Sequence, residues 1–156
     1  MDFLAFKHAR FSARFPATYC YSKSHYWMAP VADEAGLWRV GFTKFATRML
    51  GELVDAEFSV MPGEVIQPGQ ELGWVEGFKA TSDVFSVMAG TFVGTNPLLA
   101  ADACIVRSEP YLDGWLYAVR GEPEPDHCDA NGYLELLRQT IGRMQAQEEA
   151  GSASQP

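Results

Sequence analysis

The sequence predicts a mainly β protein with short helices, a small sandwich or barrel carrying one C-terminal helix. Three observations support this prediction. Residues 21–120 are dense in short aromatic and β-branched runs: "YWMAPV", "LWRVGF", "LVDAEFSV", "ELGWVEGF", "DVFSVMAGTFVGT" and "GWLYAVRG". Turn signals punctuate them at Pro62-Gly63, Pro68-Gly69, Asn96-Pro97 and Asp113-Gly114, as expected between closely spaced strands. Near the end, Tyr133, Leu136, Leu137, Ile141 and Met144 fall at helical spacing, so one helix face should dock on the sandwich.

The elements follow in chain order. Residues 1–20 form a basic-aromatic arm with Phe3, Phe6, Phe11 and Phe15 among Lys7, Arg10 and Arg14. Its charge resembles that of a mitochondrial transit peptide, but the regular aromatics ending in Pro16 read as structured packing, over a sheet face or edge or as a partner surface. The central zone, 21–120, holds one helix among the strands, "TKFATRMLG". There Thr43 can N-cap, Gly51 can C-cap, and Phe45, Met49 and Leu50 share a face. "GEVIQPGQEL" and "GTFVGTNPLL" echo one another, a Gly-strand-Pro-turn unit on either side of residues 75–83. Residues 121–132, "GEPEPDHCDANG", read as a linker. It leads through Asp129 or Asn131, either a suitable cap, into a helix over 133–147, and 148–156 read as a disordered tail.

Composition narrows the function. The 156 residues fit one domain, and 47% hydrophobic content supports a real core. A net charge of −8 argues against binding nucleic-acid phosphates. No apolar run is long enough to span a bilayer, and the N-terminus lacks a secretory h-region. The expected location is therefore cytoplasmic, with a mitochondrial one the lesser alternative. Cys20, Cys104 and Cys128 are odd in number and widely spaced, which reads as reduced thiols rather than a disulfide framework or zinc site. His25, beside Tyr26 and Trp27, reads as packing, and the His127-Cys128 pair cannot complete a metal site alone. The four tryptophans, Trp27, Trp38, Trp74 and Trp115, are expected in the core or at its rim, with Trp74 bracing the turn that follows it.

That turn, "VEGFKATSD" over 75–83, carries the site. Lys79 stands alone between two apolar segments, flanked by Gly77, Ala80 and Ser82 and bracketed by Glu76 and Asp83. A solvated surface lysine is the plain reading. A Schiff-base lysine needs a desolvated pocket, which a hairpin tip does not offer. A covalently modified lysine needs a protruding amine, and Glu76 and Asp83 would give a modifying enzyme an acidic rim to read.

Four segments resemble the glycine cleavage system H protein, the lipoyl-carrier family: "YSKSHYWM", "VGFTKFATRMLGELV", "ELGWVEGFKATSDVFSVMAGTFVGTN" and "SEPYLDGWLYAV". The family pattern at its lipoyl-lysine is E-S-x-K-A-x-S-D. Glu76, Lys79, Ala80, Ser82 and Asp83 match it, and Gly77 stands where serine is usual. The resemblance implies a barrel-sandwich hybrid of the lipoyl/biotinyl-domain type, with lipoate amide-bonded to Lys79. Glu76, Gly77, Ala80 and Asp83 would be read by a lipoate ligase or lipoyl synthase system. The implied role is a non-catalytic carrier moving the aminomethyl group of glycine between glycine decarboxylase, aminomethyltransferase and dihydrolipoamide dehydrogenase.

The resemblance also implies a cleft sheltering the arm, here formed by Ser24, Tyr26, Phe45 and Met49. Tyr26 replaces the acid of the usual S-H-E-W, and Phe45 and Met49 stand where polar residues or histidine are common. A carboxylate there would pair with a cationic amine, which Tyr26 and Met49 cannot do. Two alternatives follow: an H-like lipoate carrier with another cargo, as in heterodisulfide-reductase-like sulfur oxidation, and a non-lipoylated binding module.

Overall fold

The computed structural model describes residues 1–153. It opens with a two-stranded hairpin, β1 (Phe3–His8) and β2 (Phe11–Pro16), paired from Phe3↔Pro16 to His8↔Phe11. Then come β3 (Cys20–Tyr21), β4 (Tyr26–Pro30), β5 (Leu37–Phe42) and helix α1 (Lys44–Leu50). Strands β6 (Leu53–Phe58), β7 (Val65–Ile66), β8 (Glu71–Gly77), β9 (Thr81–Phe85) and β10 (Met88–Thr95) follow. Two single-turn helices, α2 (Leu98–Ala101) and α3 (Ile105–Ser108), lead to β11 (Tyr117–Pro123) and helix α4 (Ala130–Ala153).

A six-stranded sheet, β3-β4-β5-β11-β10-β7, faces a three-stranded one, β6-β8-β9. Their inner faces enclose one core: Met28, Val40, Phe92 and Val119 from the larger sheet meet Leu53, Leu72, Val75 and Val84 from the smaller. This is the barrel-sandwich hybrid implied by the resemblance, with its C-terminal helix. The two echoing segments lie side by side through β7 and β10, paired Gly90↔Ile66 and Thr91↔Val65. They diverge after their prolines, since Pro68 turns into a strand and Pro97 into α2.

A second core lies outside the sandwich, and β4 explains it. Its run of apolar residues is buried on both faces. Strand side chains alternate, so Tyr26 and Met28 point into the inner core while Trp27 and Ala29 point outward. The outward set is covered by the hairpin and by α4: Phe6, Phe11 and Phe15 pack with Tyr21, Tyr133, Leu137 and Ile141. Tyr21 and Tyr133 stack at 4.8 Å, and Phe15 meets Tyr133 edge-on at 5.5 Å. Phe6, Phe11 and Phe15 therefore cover a sheet face while Phe3 stays exposed, and the apolar face of α4 docks as much on the hairpin as on the sandwich.

Three boundaries differ from the expectation. Residues Gly121 and Glu122, read as linker, pair with Gly90 and Ala89 on β10, because a glycine-proline composition does not prevent those backbones from joining the ladder. Asp129 caps α4, accepting from Gly132 N at 2.8 Å, and the helix begins at Ala130. It continues to Ala153, beyond the expected start of a tail at 148, because the sequence over 144–150 is rich in good helix formers. The last residues of that tail, 154–156, lie outside the described residues.

Candidate functional site

Lys79 sits in the loop between β8 and β9, closed by Glu76↔Thr81 pairing and by a hydrogen bond from Gly77 N to Ala80 O of 2.9 Å. The neighbouring helix fixes that loop. Helix α1 starts where Thr43 accepts from Ala46 N, and Thr43 itself is held by the Tyr133 hydroxyl at 2.8 Å. It ends at Gly51, at φ 76. The last carbonyls of a helix have no partner within it. Here the hairpin supplies donors: Lys79 N donates to Leu50 O at 2.9 Å, and Phe78 N to Glu52 O, just past the helix, at 3.0 Å. The Lys79 ammonium donates to Arg48 O at 3.3 Å, a favourable place for a cation.

Gly77 permits this close approach. A Cβ there would fall 2.2 Å from Leu50 O. In this chain the position where the family pattern has serine thus leaves room for the Leu50 carbonyl.

Solitude in sequence is not solitude in space. Lys79 is exposed and shares a depression of about 300 Å³ with Lys44, Thr47, Arg48 and Arg107. Glu76 and Asp83 are exposed on the strands flanking the loop. The amine thus stands between an acidic hairpin and a basic helix surface. Trp74, paired across to Asp83 and Glu57, lies half-exposed on the same hairpin.

The four cleft residues predicted from sequence come together. Ser24, Tyr26, Phe45 and Met49 line one cavity of about 260 Å³ with His25, Phe42, Leu50, Ser82, Asp83 and Phe85. Tyr26 is 3% exposed, and its hydroxyl accepts from Phe85 N at 3.0 Å. Burial pushes that hydroxyl up to about 12, against the partly compensating bond from Phe85, so it is a neutral hydrogen-bonding group. His25 occupies a left-handed position at φ 73. Its Nδ1 shares a hydrogen bond of 2.8 Å with the Tyr133 hydroxyl, and its ring lies 4.7 Å from Phe45. Burial lowers its imidazole from 6.5 to about 4.

Asp83 corrects the view of the cleft as lacking an acid. Sequence reasoning assigned Asp83 to the outer rim alone, yet it lines the cavity beside Tyr26. The signal was available in the strand period: Asp83 and Phe85 share one face of β9, while Val84 points into the core. Among the described residues, no group of three or more His, Cys, Asp or Glu is placed to hold a metal ion. The three cysteines are free.

A family profile described as glycine cleavage H-protein matches residues 19–138. The glycine cleavage system H protein of Coxiella burnetii (strain Dugway 5J108-111) is 38% identical over 128 residues, 80% of this chain and 96% of its own. That of Enterobacter sp. (strain 638) is 34% identical over 125 residues, 78% and 95% respectively. The crystal structure of a glycine cleavage system H protein from Mycobacterium marinum superposes with a TM-score of 0.68 at 32% identity, covering 76% of this chain and 95% of that one.

Proposed function

The chain belongs to the glycine cleavage H-protein family, the lipoyl carriers of the glycine cleavage system, and from that premise we propose that Lys79 is its lipoyl attachment point. The observation that carries the proposal is the placement of one exposed amine on a hairpin tied to the end of α1, beside an apolar cavity. The residues fit the group. The Lys79 amine is open to a modifying enzyme, and an amide N–H would still have the Arg48 carbonyl in reach once the charge is gone. Glu76, Gly77, Ala80 and Asp83 are the hairpin features for a lipoate ligase or lipoyl synthase system to recognise.

When bound, the group supplies a strained disulfide, both electrophile and redox centre. The chain's own residues do the rest. Phe45, Met49 and Phe85 give the cleft apolar walls. Asp83 brings a carboxylate to its edge, able to pair with the cationic amine of an aminomethyl cargo. That role offsets the missing acid at Tyr26 and favours the glycine-derived cargo over an uncharged or sulfur-bearing one.

The chain then acts as a carrier and not as a catalyst, presenting its arm in turn to glycine decarboxylase, aminomethyltransferase and dihydrolipoamide dehydrogenase. Tethering raises the effective concentration of the arm at each of them. The proposed location is cytoplasmic; Phe6, Phe11 and Phe15 of the N-terminal segment belong to the outer core.

The test is in vitro lipoylation with lipoate and a ligase, read by intact mass. One adduct is expected on the native chain and none on Lys79→Arg. An adduct on the variant, or none on the native chain, overturns the assignment. Failure of glycine decarboxylase to load the lipoylated chain from glycine would instead refute the cargo.

A further inference from the structure

We propose that the cavity between the β1–β2 turn, α1 and the outer turns of α4 is a second resting site for the apolar dithiolane end of a lipoyl arm on Lys79. The inference rests on the reading of Lys79 given above. It concerns a cavity of about 560 Å³, more than twice the volume of the cleft and within the roughly 300–1,000 Å³ of small-molecule sites.

Position is the first argument. Arg48 lines both this cavity and the depression that holds Lys79, and its carbonyl lies 3.3 Å from the Lys79 ammonium. Phe45 and Met49 line both this cavity and the predicted cleft. Helix α1 is therefore a ridge with a recess on either side, and an arm starting at Lys79 begins at its end. Met49 stands on the ridge, 48% exposed.

Chemistry is the second. The walls offer Phe11, Phe45, Ile141 and the thioethers of Met49 and Met144. Thioethers and ring edges suit a polarizable sulfur ligand. Arg10, Arg48, Gln145 and Glu148 give the cavity its polar groups, and the Arg48 guanidinium lies 5.5 Å from the Phe11 ring centre. The occupant is tethered, so weak apolar contact suffices.

Origin is the third. Arg10 and Phe11 precede the family match, and Ile141, Met144 and Glu148 follow it. The matched region contributes the α1 wall, and the hairpin and the extended α4 complete the recess.

The experiment uses the full chain, lipoylated in vitro and carrying isotope-labelled Met and Ile methyl groups and labelled Tyr and Phe rings. Intact mass of the native chain and Lys79→Arg first locates the adduct, and an adduct placed elsewhere overturns both this proposal and the attachment reading. With the adduct on Lys79, magnetisation transfer is expected between the lipoyl methylenes and the Met144 methyl, together with shifts at Met144 and Ile141 relative to the unmodified chain. Contacts confined to Tyr26 and Phe85, or no contacts, overturn the second site and leave the attachment intact. Met144→Glu, checked for fold by circular dichroism, should abolish the Ile141 shift and spare those in the cleft. An unchanged Ile141 shift overturns the proposal.

Discussion

Replacing Gly77 with alanine tests whether the hairpin is held by helix α1 as described. The added Cβ would sit 2.2 Å from Leu50 O and 2.9 Å from Leu50 C, both backbone atoms that no rotamer change can move. Ordinary contact begins near 3.4 Å, so the loop must retreat by about 3.4 − 2.2 = 1.2 Å. That motion breaks the bonds from Lys79 N to Leu50 O and from Phe78 N to Glu52 O, now 2.9 and 3.0 Å. Two backbone hydrogen bonds at roughly 0.5–1.5 kcal/mol each cost about 2 kcal/mol. The restricted unfolded chain returns about 0.5 kcal/mol. The net loss of about 1.5 kcal/mol corresponds to a fall in Tm of roughly 3–6 °C for a chain of this size. Gly77 is not in the left-handed region, so backbone strain adds nothing. Thermal unfolding by circular dichroism gives the Tm, and amide exchange at Lys79 reports the loop. An unchanged Tm with full protection at Lys79 would refute the reasoning.

Gly142→Ala is the opposite case: nothing lies within 4 Å of its Cβ position, inside α4, so stability should rise by about 0.5–1 kcal/mol in urea titration. Asp129→Ala removes the acceptor for Gly132 N and should cost about 1 kcal/mol in the same titration. His25 gives a pH dependence. Its folded value of about 4 lies below the ordinary 6.5, so the unfolded chain binds the proton more readily. Its contribution is full above pH 6.5 and is lost as the pH falls toward 4, by up to about 3 kcal/mol. His25→Asn, which tolerates the positive φ, should flatten that part of a stability-pH curve.

Much of the fold was legible because its signals are local. The six apolar runs became strands, and α1 kept both predicted caps, Thr43 and Gly51. The hairpin at 3–16 was harder to read. Four phenylalanines indicate packing, but Phe3 is exposed, and Tyr133 and Ile141, which pack with Phe6, Phe11 and Phe15, lie far along the chain. The site divided in the same way. Ser24, Tyr26, Phe45 and Met49, which the family pattern groups, line one cavity. The basic surface of Lys44, Arg48 and Arg107 escaped notice because only folding brings α1 and α3 to the Lys79 loop. Asp83 also lines the cavity, a placement that follows from its strand phase rather than from its acidity.

Strand β4 has a consequence for how the molecule opens. One face seals the sandwich and the other seals the hairpin and α4. Covered twice, its amides should exchange only through global unfolding, whereas the outer layer can detach as a smaller cooperative unit. Such a detachment would wet Trp27 and leave Met28 dry. It would also release Tyr133 from Thr43 and His25, loosening the N-terminus of α1 while the other end of that helix still holds the lysine hairpin. Two levels of melting are thus expected, divided along the thickness of a single strand.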